Sequence, residues 1–235
     1  MKKWMGLGMS ALLLIAALTG CGTTQQETAS NEISVSQTDS HYPVTVESYN
    51  YAGDVVTTTY EKAPERVIAV YQGSIETMLA LGLEEHVVAS YGLDNAVKEE
   101  WEDGLSKMNY HEEVFAPSKE DVMMLEPDMI FSWGSLFGEK KLGDVDQWIS
   151  RGTNTYINTN TRAGGYDRTL EHEYTDILNI GKIFDVEEKA QALVDEMKQE
   201  IEDALAKTKG KEAQTVSVIE FLNDDISNYG ASSLA

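Results

Sequence analysis

Three short stretches of this 235-residue chain set an aromatic side chain beside a glycine: Tyr71-Gln72-Gly73, Tyr91-Gly92 and Trp133-Gly134. A fourth, Asn158 to Arg162, gathers amides, hydroxyls and a guanidinium. Rings supply contact area with few torsions to freeze, and glycine lets a ligand approach the backbone. The chemistry on offer is the holding of a large, flat, partly apolar molecule, with Arg162 or Arg168 available to an anionic group such as a carboxylate. Each aromatic taken alone also fits core or rim packing; their recurrence is what points to a pocket. The candidate contacts are Tyr71, Gln72, Tyr91, Trp133, Asn160, Arg162 and, near the end of the chain, Tyr229.

Signatures of catalysis are missing from the sequence. It contains no G-x-S-x-G elbow, no P-loop and no G-x-G-x-x-G. Acid pairs such as Glu112/Glu113 and Asp224/Asp225 are sequence neighbours and point to different faces of any regular element. Carboxylates of the glycosidase type have no local signature, so a surface-anchored carbohydrate-active enzyme stays open as a rival, as does a purely structural surface protein or adhesin. The histidines, His41, His86, His111 and His172, form neither a His-x-His nor a His-Glu-x-x-His pattern, so no metal site is expected. One cysteine allows no intrachain disulfide and no thiolate-based zinc cluster.

The elements that must position these residues follow from periodicity. Val44 to Glu47 alternates, Gly53-Asp54 marks a turn, and Val55 to Tyr60 completes a β-hairpin. Arg66–Tyr71, Val87–Tyr91, Met129–Trp133 and Thr155–Asn158 read as strands, and Glu113–Ala116 as a short one. Between them lie a helix capped by Ser74 and stopped by Gly82, a partly helical stretch from Asn95 to Leu105, a helix from Ser118 to Leu125, one over Leu142–Ser150, and one from about Thr169 to Ile183. In the second of the capped helices Asp121 is expected as the reciprocal carboxylate to Ser118. Strands alternating with helices imply a parallel sheet covered on both faces, with the candidate residues at the carboxyl ends of its strands, where open α/β sheets bind ligands.

After Phe184 the pattern changes. Asp185 is expected to cap a long helix in which Val186, Ala190, Leu193, Val194, Met197, Ile201 and Leu205 recur at spacings of three and four. Lys209-Gly210-Lys211 ends it, and Val216–Phe221 opens a new strand. The chain stops soon afterwards, at a segment that reads as a helix start, so a fragment of a longer protein is expected.

The amino terminus carries an address. Lys2 and Lys3 precede an apolar run from Leu7 to Leu18, too short to span a bilayer, where about 20 apolar residues are needed. It ends in Leu18-Thr19-Gly20-Cys21, which resembles a bacterial lipobox, with cleavage before Cys21 and a lipid on its sulfur; two or more acyl chains give stable anchoring. Residues 22–40 are Ser/Thr/Gln-rich and read as a solvated tether. Lys+Arg total 18 against 40 Asp+Glu, a net charge of −22. Such a chain is repelled by nucleic-acid phosphates and by anionic membrane surfaces. It is expected at the cell membrane, held by its lipid and facing outside the cytoplasm, as a monomer.

Taken in order, the lipobox, the tether, Pro64-Glu-Arg-Val-Ile-Ala-Val70, Ile75-Glu-Thr-Met-Leu-Ala-Leu-Gly82, Leu125-Glu-Pro-Asp-Met-Ile130 and Phe184-Asp-Val-Glu-Glu-Lys-Ala-Gln-Ala-Leu193 resemble the substrate-binding lipoproteins of ABC importers for iron–siderophores, haem and cobalamin. The resemblance implies two α/β lobes joined by a rigid helix, with ligand in the cleft between them. On this chain it implies a signal peptide over 1–20, a lipidated tether over 21–40, an amino-terminal α/β lobe with its β-hairpin over 41–184, the bridging helix over 185–209, and the truncated start of a second α/β lobe over 210–235. It further implies a ferric chelate as ligand, with haem and cobalamin as alternatives, no covalent group other than the lipid at Cys21, and an ABC permease as partner. Glu120 matches the first-lobe glutamate that docks onto permease arginines, although a carboxylate in a helix's first turn also has a plain role in stabilising the dipole. Zinc and manganese importers share this fold but rely on a histidine-rich site; the scattered histidines here read as surface residues.

Overall fold

The computed structural model describes residues 41–138, 141–212, 214–222 and 225–230. The apolar leader, Cys21, the tether and the last five residues lie outside them. Among the described residues, no helix is long and apolar enough to cross a membrane.

Five parallel strands form the central sheet: β3 (Val67–Val70), β4 (Val87–Tyr91), β5 (Tyr110–His111), β6 (Met129–Ser132) and β7 (Asn154–Ile157), in the order β5-β4-β3-β6-β7. Every residue of β3 and β6 is buried. Such continuous apolar runs belong to strands covered on both faces. Alternation along β6 divides the core, Met129 and Phe131 facing one side and Ile130 the other. The first side is covered by α1 (Gln72–Ala80) through Ile75 and Met78, and by α5 (Leu170–Ile183) through Tyr174, Ile177 and Ile180. The second is covered by Val122 of α3 (Lys119–Met124) and by Val145 and Trp148 of α4 (Val145–Ser150). A short helix, α2 (Glu102–Lys107), precedes β5.

An antiparallel hairpin, β1 (Val44–Tyr49) and β2 (Val55–Tyr60), leans on β7. Its inward residues are Val44, Val46 and Ser48, and the Ser48 hydroxyl accepts from the Ile157 amide at 2.9 Å. Beyond α5 runs the long helix α6 (Glu187–Thr208), followed by a second hairpin, β8 (Ile219–Leu222) with β9 (Asp225–Asn228).

Several boundaries differ from the sequence expectation. Ser74 does not cap α1. Tyr71, at φ 83°, turns the chain straight from β3 into the helix, and the Ser74 hydroxyl is spent inside, donating to Asn158 Oδ1 at 2.9 Å. Residues 113–116 form no strand. The edge strand is Tyr110–His111, and the Phe115 carbonyl instead closes over Gly92, where a Cβ would sit 2.5 Å from that oxygen. Ser118 does cap α3, accepting from the Asp121 amide at 3.1 Å, but the Asp121 carboxylate accepts from the Ser118 hydroxyl rather than from its backbone. Leu142 lies buried ahead of α4, which Asp144 caps. Asp185 takes a left-handed φ of 57° and Val186 holds the N-cap position of α6. The last expected strand begins at Ile219, not Val216.

Candidate functional site

The strand order places its reversal between β3 and β6, which are neighbours although far apart in sequence. At such a switch point the chain leaves the two strands in opposite directions and opens a crevice at their carboxyl ends. The residues immediately after those strands are Tyr71 and Trp133. Their ring centroids are 3.8 Å apart with the planes tilted by 45°, and Phe115 meets Tyr71 edge-on at 5.6 Å. Tyr71 and Trp133 are both partly exposed, and Phe115 is 51% exposed.

Tyr71 is held in place on all sides. Its amide donates to the Tyr91 carbonyl at 2.8 Å, and its positive φ points the ring toward Trp133 instead of along the strand. Its phenol donates to Asp94, and its pKa is pushed up to about 12 by burial, by that bond, and by the charges of Asp94, Glu220 and Tyr229. The Asp94 loop is in turn fixed by Gln72, whose Oε1 accepts from the amides of Asp94 and Asn95 at 3.0 and 3.1 Å. Gln72 Nε2 donates to Glu76 at 2.7 Å. Gln72 is thus occupied in positioning the rim.

Tyr229 stands near enough to Tyr71 to raise its pKa, and Arg168 acts on Tyr229. The Tyr229 phenol donates to Glu220 at 2.6 Å. Glu220 and Tyr229 are thus paired with each other and lie within electrostatic reach of Tyr71.

Arg162 lies on the loop after β7. Its guanidinium is stacked between Tyr166 at 3.8 Å and Tyr49 at 4.8 Å, and Nη1 donates to the Tyr49 phenol at 2.7 Å. Its Nε is buried with no hydrogen-bond partner. The loop itself is anchored by Asp176, which is 1% exposed. That carboxylate accepts from the Thr159 amide, the Thr159 hydroxyl and the Tyr156 phenol at 2.8, 2.6 and 2.9 Å. Burial lifts its pKa to about 7 against the opposing pull of those hydrogen bonds.

Two of the predicted contacts are engaged elsewhere. Tyr91 ends β4, but its ring is 4% exposed and stacked on His111 at 4.6 Å in the layer beside α3. Asn160 pins the start of α5, donating to Thr169 O and Glu173 and accepting from the Thr169 amide. Glu120 is exposed in the first turn of α3. A crossover helix starts where the preceding parallel strand ends, so Glu120 lies at the same edge of the sheet as the aromatic pair. A wide groove lined by Leu178, Lys182, Gln191 and Asp195 runs between α5 and α6, away from that edge; it is an interhelical trough with no aromatic or strand-end lining.

Sequence reasoning missed Asp94, Phe115, Tyr166, Asp176 and Glu220. Asp94, Phe115 and Asp176 act through contacts between separate elements, whereas Tyr166 and Glu220 act on near neighbours in sequence, Arg162 and Tyr229.

The chain is 26% identical over 210 residues to the ABC transporter substrate-binding lipoprotein YvrC of Bacillus subtilis (strain 168), an alignment covering 89% of this chain and 60% of that protein. It superposes on a periplasmic binding protein from Veillonella parvula DSM 2008 with a TM-score of 0.74 and 32% identity, over 81% of this chain and 60% of that one. The petrobactin-binding protein YclQ of Bacillus subtilis shares the fold, at a TM-score of 0.58 and 24% identity over 82% of this chain and 62% of that one. The chain therefore spans about 60% of the length of the relatives it matches. The family model described as periplasmic binding protein matches residues 67–233, and the chain belongs to that family.

Proposed function

We propose that this chain is the ligand-capturing part of an extracytoplasmic lipoprotein that binds an iron–siderophore-type chelate and hands it to an ABC permease. The observation that carries the reading is the Tyr71–Trp133 pair at the switch point, with Tyr71 held at a positive φ. A backbone in that region costs about 1–3 kcal/mol in a non-glycine residue and persists only where its surroundings over-determine it. Here the cost orients a ring toward the crevice. The stacked guanidinium of Arg162, already ordered by two tyrosines, supplies a cation for an anionic chelate without a further ordering penalty.

In this reading Tyr71, Trp133 and Tyr229 supply the aromatic surface, Arg162 the charge, and Gln72 and Asn160 hold the rim. Tyr91 supports the strand end from below. The sites serve binding, not turnover. Lipid at Cys21 keeps the body at the outer face of the membrane, and Glu120 meets the permease.

The test is tryptophan quenching of the purified protein by a panel of ferric catecholates, ferric hydroxamates, haem and cobalamin. A ferric siderophore is expected to quench saturably. Trp133→Phe should remove most of the signal, and Tyr71→Gly should weaken affinity by roughly tenfold, the scale of a lost aromatic pair. Saturable binding of haem or cobalamin alone would replace the ligand. Affinity unchanged in Tyr71→Gly would move the site away from the switch point.

A further inference from the structure

His41, the first described residue, packs against the turn that joins α5 to α6. Its Nε2 lies 2.7 Å from the Lys182 carbonyl oxygen. A carbonyl only accepts, so this nitrogen carries the hydrogen and the lone pair of a neutral ring is on Nδ1. Nδ1 faces Asp185 Oδ1 at 3.2 Å and Glu187 Oε2 at 3.5 Å. With the ring neutral, three acceptors converge with no donor among them, and all three lie within 4.8 Å of one another.

Two of the three separations have the length of a coordination edge, and the two carboxylates, within 4.8 Å of each other, have rotamer freedom to close the third. A tetrahedral cation with ligand bonds of about 2.0–2.1 Å sets its ligands roughly 3.4 Å apart, and both measured separations from Nδ1 fall close to that edge. The outer contact fits as well. A ligating histidine generally donates its other nitrogen to a carbonyl or carboxylate, which fixes the ring and its tautomer, and the Lys182 carbonyl does so here. The backbone also serves the arrangement. Asp185 holds a left-handed φ of 57°, turning the chain so that residues 185 and 187 present carboxylates on the same side. His41 is 18% exposed at its side chain, whereas the two acids are 59% and 53% exposed, so the ring is fixed and an ion has an open approach from the acid side.

We propose that His41, Asp185 and Glu187 form a three-ligand site for a borderline divalent cation of the Zn2+ class, with water or an outside group at the fourth position. One imidazole with two carboxylates suits such an ion better than Ca2+ or Mg2+, which take more oxygens. The site lies in the turn after α5, at the end of that helix away from the strand carboxyl ends, and is separate from the crevice. Its effect is mechanical: the ion ties residue 41, where the chain enters the folded body, to the first turn of α6.

The probe is Zn2+ titrated by calorimetry into chelator-treated full chain, with Ca2+ as comparison. One Zn2+ per chain is expected, with an affinity weakened at least tenfold in His41→Gln and in the double variant Asp185→Asn/Glu187→Gln. Asn is chosen because it tolerates a left-handed backbone, and far-ultraviolet circular dichroism checks that each variant is folded. Zn2+ should also raise the melting temperature of the wild type and of neither variant. Absence of Zn2+ binding in the wild type, or equal binding in wild type and folded variants, would overturn the site and leave His41 as a protonated partner of the two acids.

Discussion

Asp176 carries more of the candidate site than any residue that faces the crevice. Its carboxylate takes three hydrogen bonds from Tyr156 and Thr159 and so fixes the loop on which Arg162 rides. Burial raises its pKa to about 7, against about 4 in an unfolded chain. Between those values the folded state keeps a proton that the unfolded state has lost. The stability associated with this group is therefore complete below about pH 4 and falls as pH rises through 7. Asp176→Asn cannot ionise. Relative to wild type its stability should therefore rise with pH between about 4 and 7 and level off above 7. Denaturation at a series of pH values checks this; parallel curves for the two proteins would show that Asp176 titrates as an ordinary surface acid. Nothing in the sequence marks this residue. Asp176 sits in an amphipathic helix among other acids, and only the fold shows that it points inward. Tyr71 and Trp133 were readable because a ring directly after a buried strand, beside a glycine, has few other places to go. Tyr91 carries the same local signature with a different outcome, since its ring turns back into the layer beside α3.

At the scale of elements, the contact that sets the course of the long helix is a close crossing of α5 and α6. A Cβ placed on Gly181 would sit 2.3 Å from the Ala190 Cβ, so only glycine permits this approach. Gly181→Ala forces the helices apart or strains the turn at Asp185. The cost expected for overpacking is about 1–3 kcal/mol, a fall in melting temperature of roughly 2–4 °C per kcal/mol for a chain of this size. A melting temperature within a degree of wild type would show that the crossing relaxes freely. Central elements were legible in the sequence for a physical reason: β3 and β6 are covered on both faces and read as unbroken apolar runs, while α5 and α6 show a clear 3.6-residue stripe. The edges were not. β5 is two residues long and owes its existence to pairing with β4, a non-local contact. The stripe of α6 also promised more burial than it has, for Ala190 and Val194 are buried whereas Leu205 is 63% exposed.

At the scale of the whole molecule, the proposed function asks a strongly acidic chain to meet a membrane protein while avoiding the anionic lipid around it. The −22 charge disfavours lying on that surface, so the lipid at Cys21 and the polar tether would hold the body near without pressing it down. Cys21→Ser should shift the protein from the membrane to the soluble fraction while leaving its fold unchanged, and continued sedimentation with membranes would assign the anchor to another feature. In that reading local charge would orient the body. Glu120 stands exposed at the start of α3, on the same edge of the sheet as the crevice, and no described side chain pairs with it. Its neighbour Asp121 is engaged with Ser118 at the cap. The two acids therefore separate structure from docking. At the cap, Ser118→Ala removes the acceptor of the Asp121 amide and should cost about 0.5–2 kcal/mol of stability. Glu120→Gln keeps the shape, loses only a favourable dipole contact of about 0.3–1 kcal/mol, and removes the charge that a permease arginine would use. Ligand affinity should be unchanged in Glu120→Gln, because the aromatic pair is on other strands. Uptake of the bound chelate by cells carrying only this variant should fall in part, since one charge among several is lost. Equal uptake in the Glu120→Gln and wild-type cells would reduce Glu120 to a helix-terminus charge, and a matching loss of ligand affinity would place it in the pocket instead.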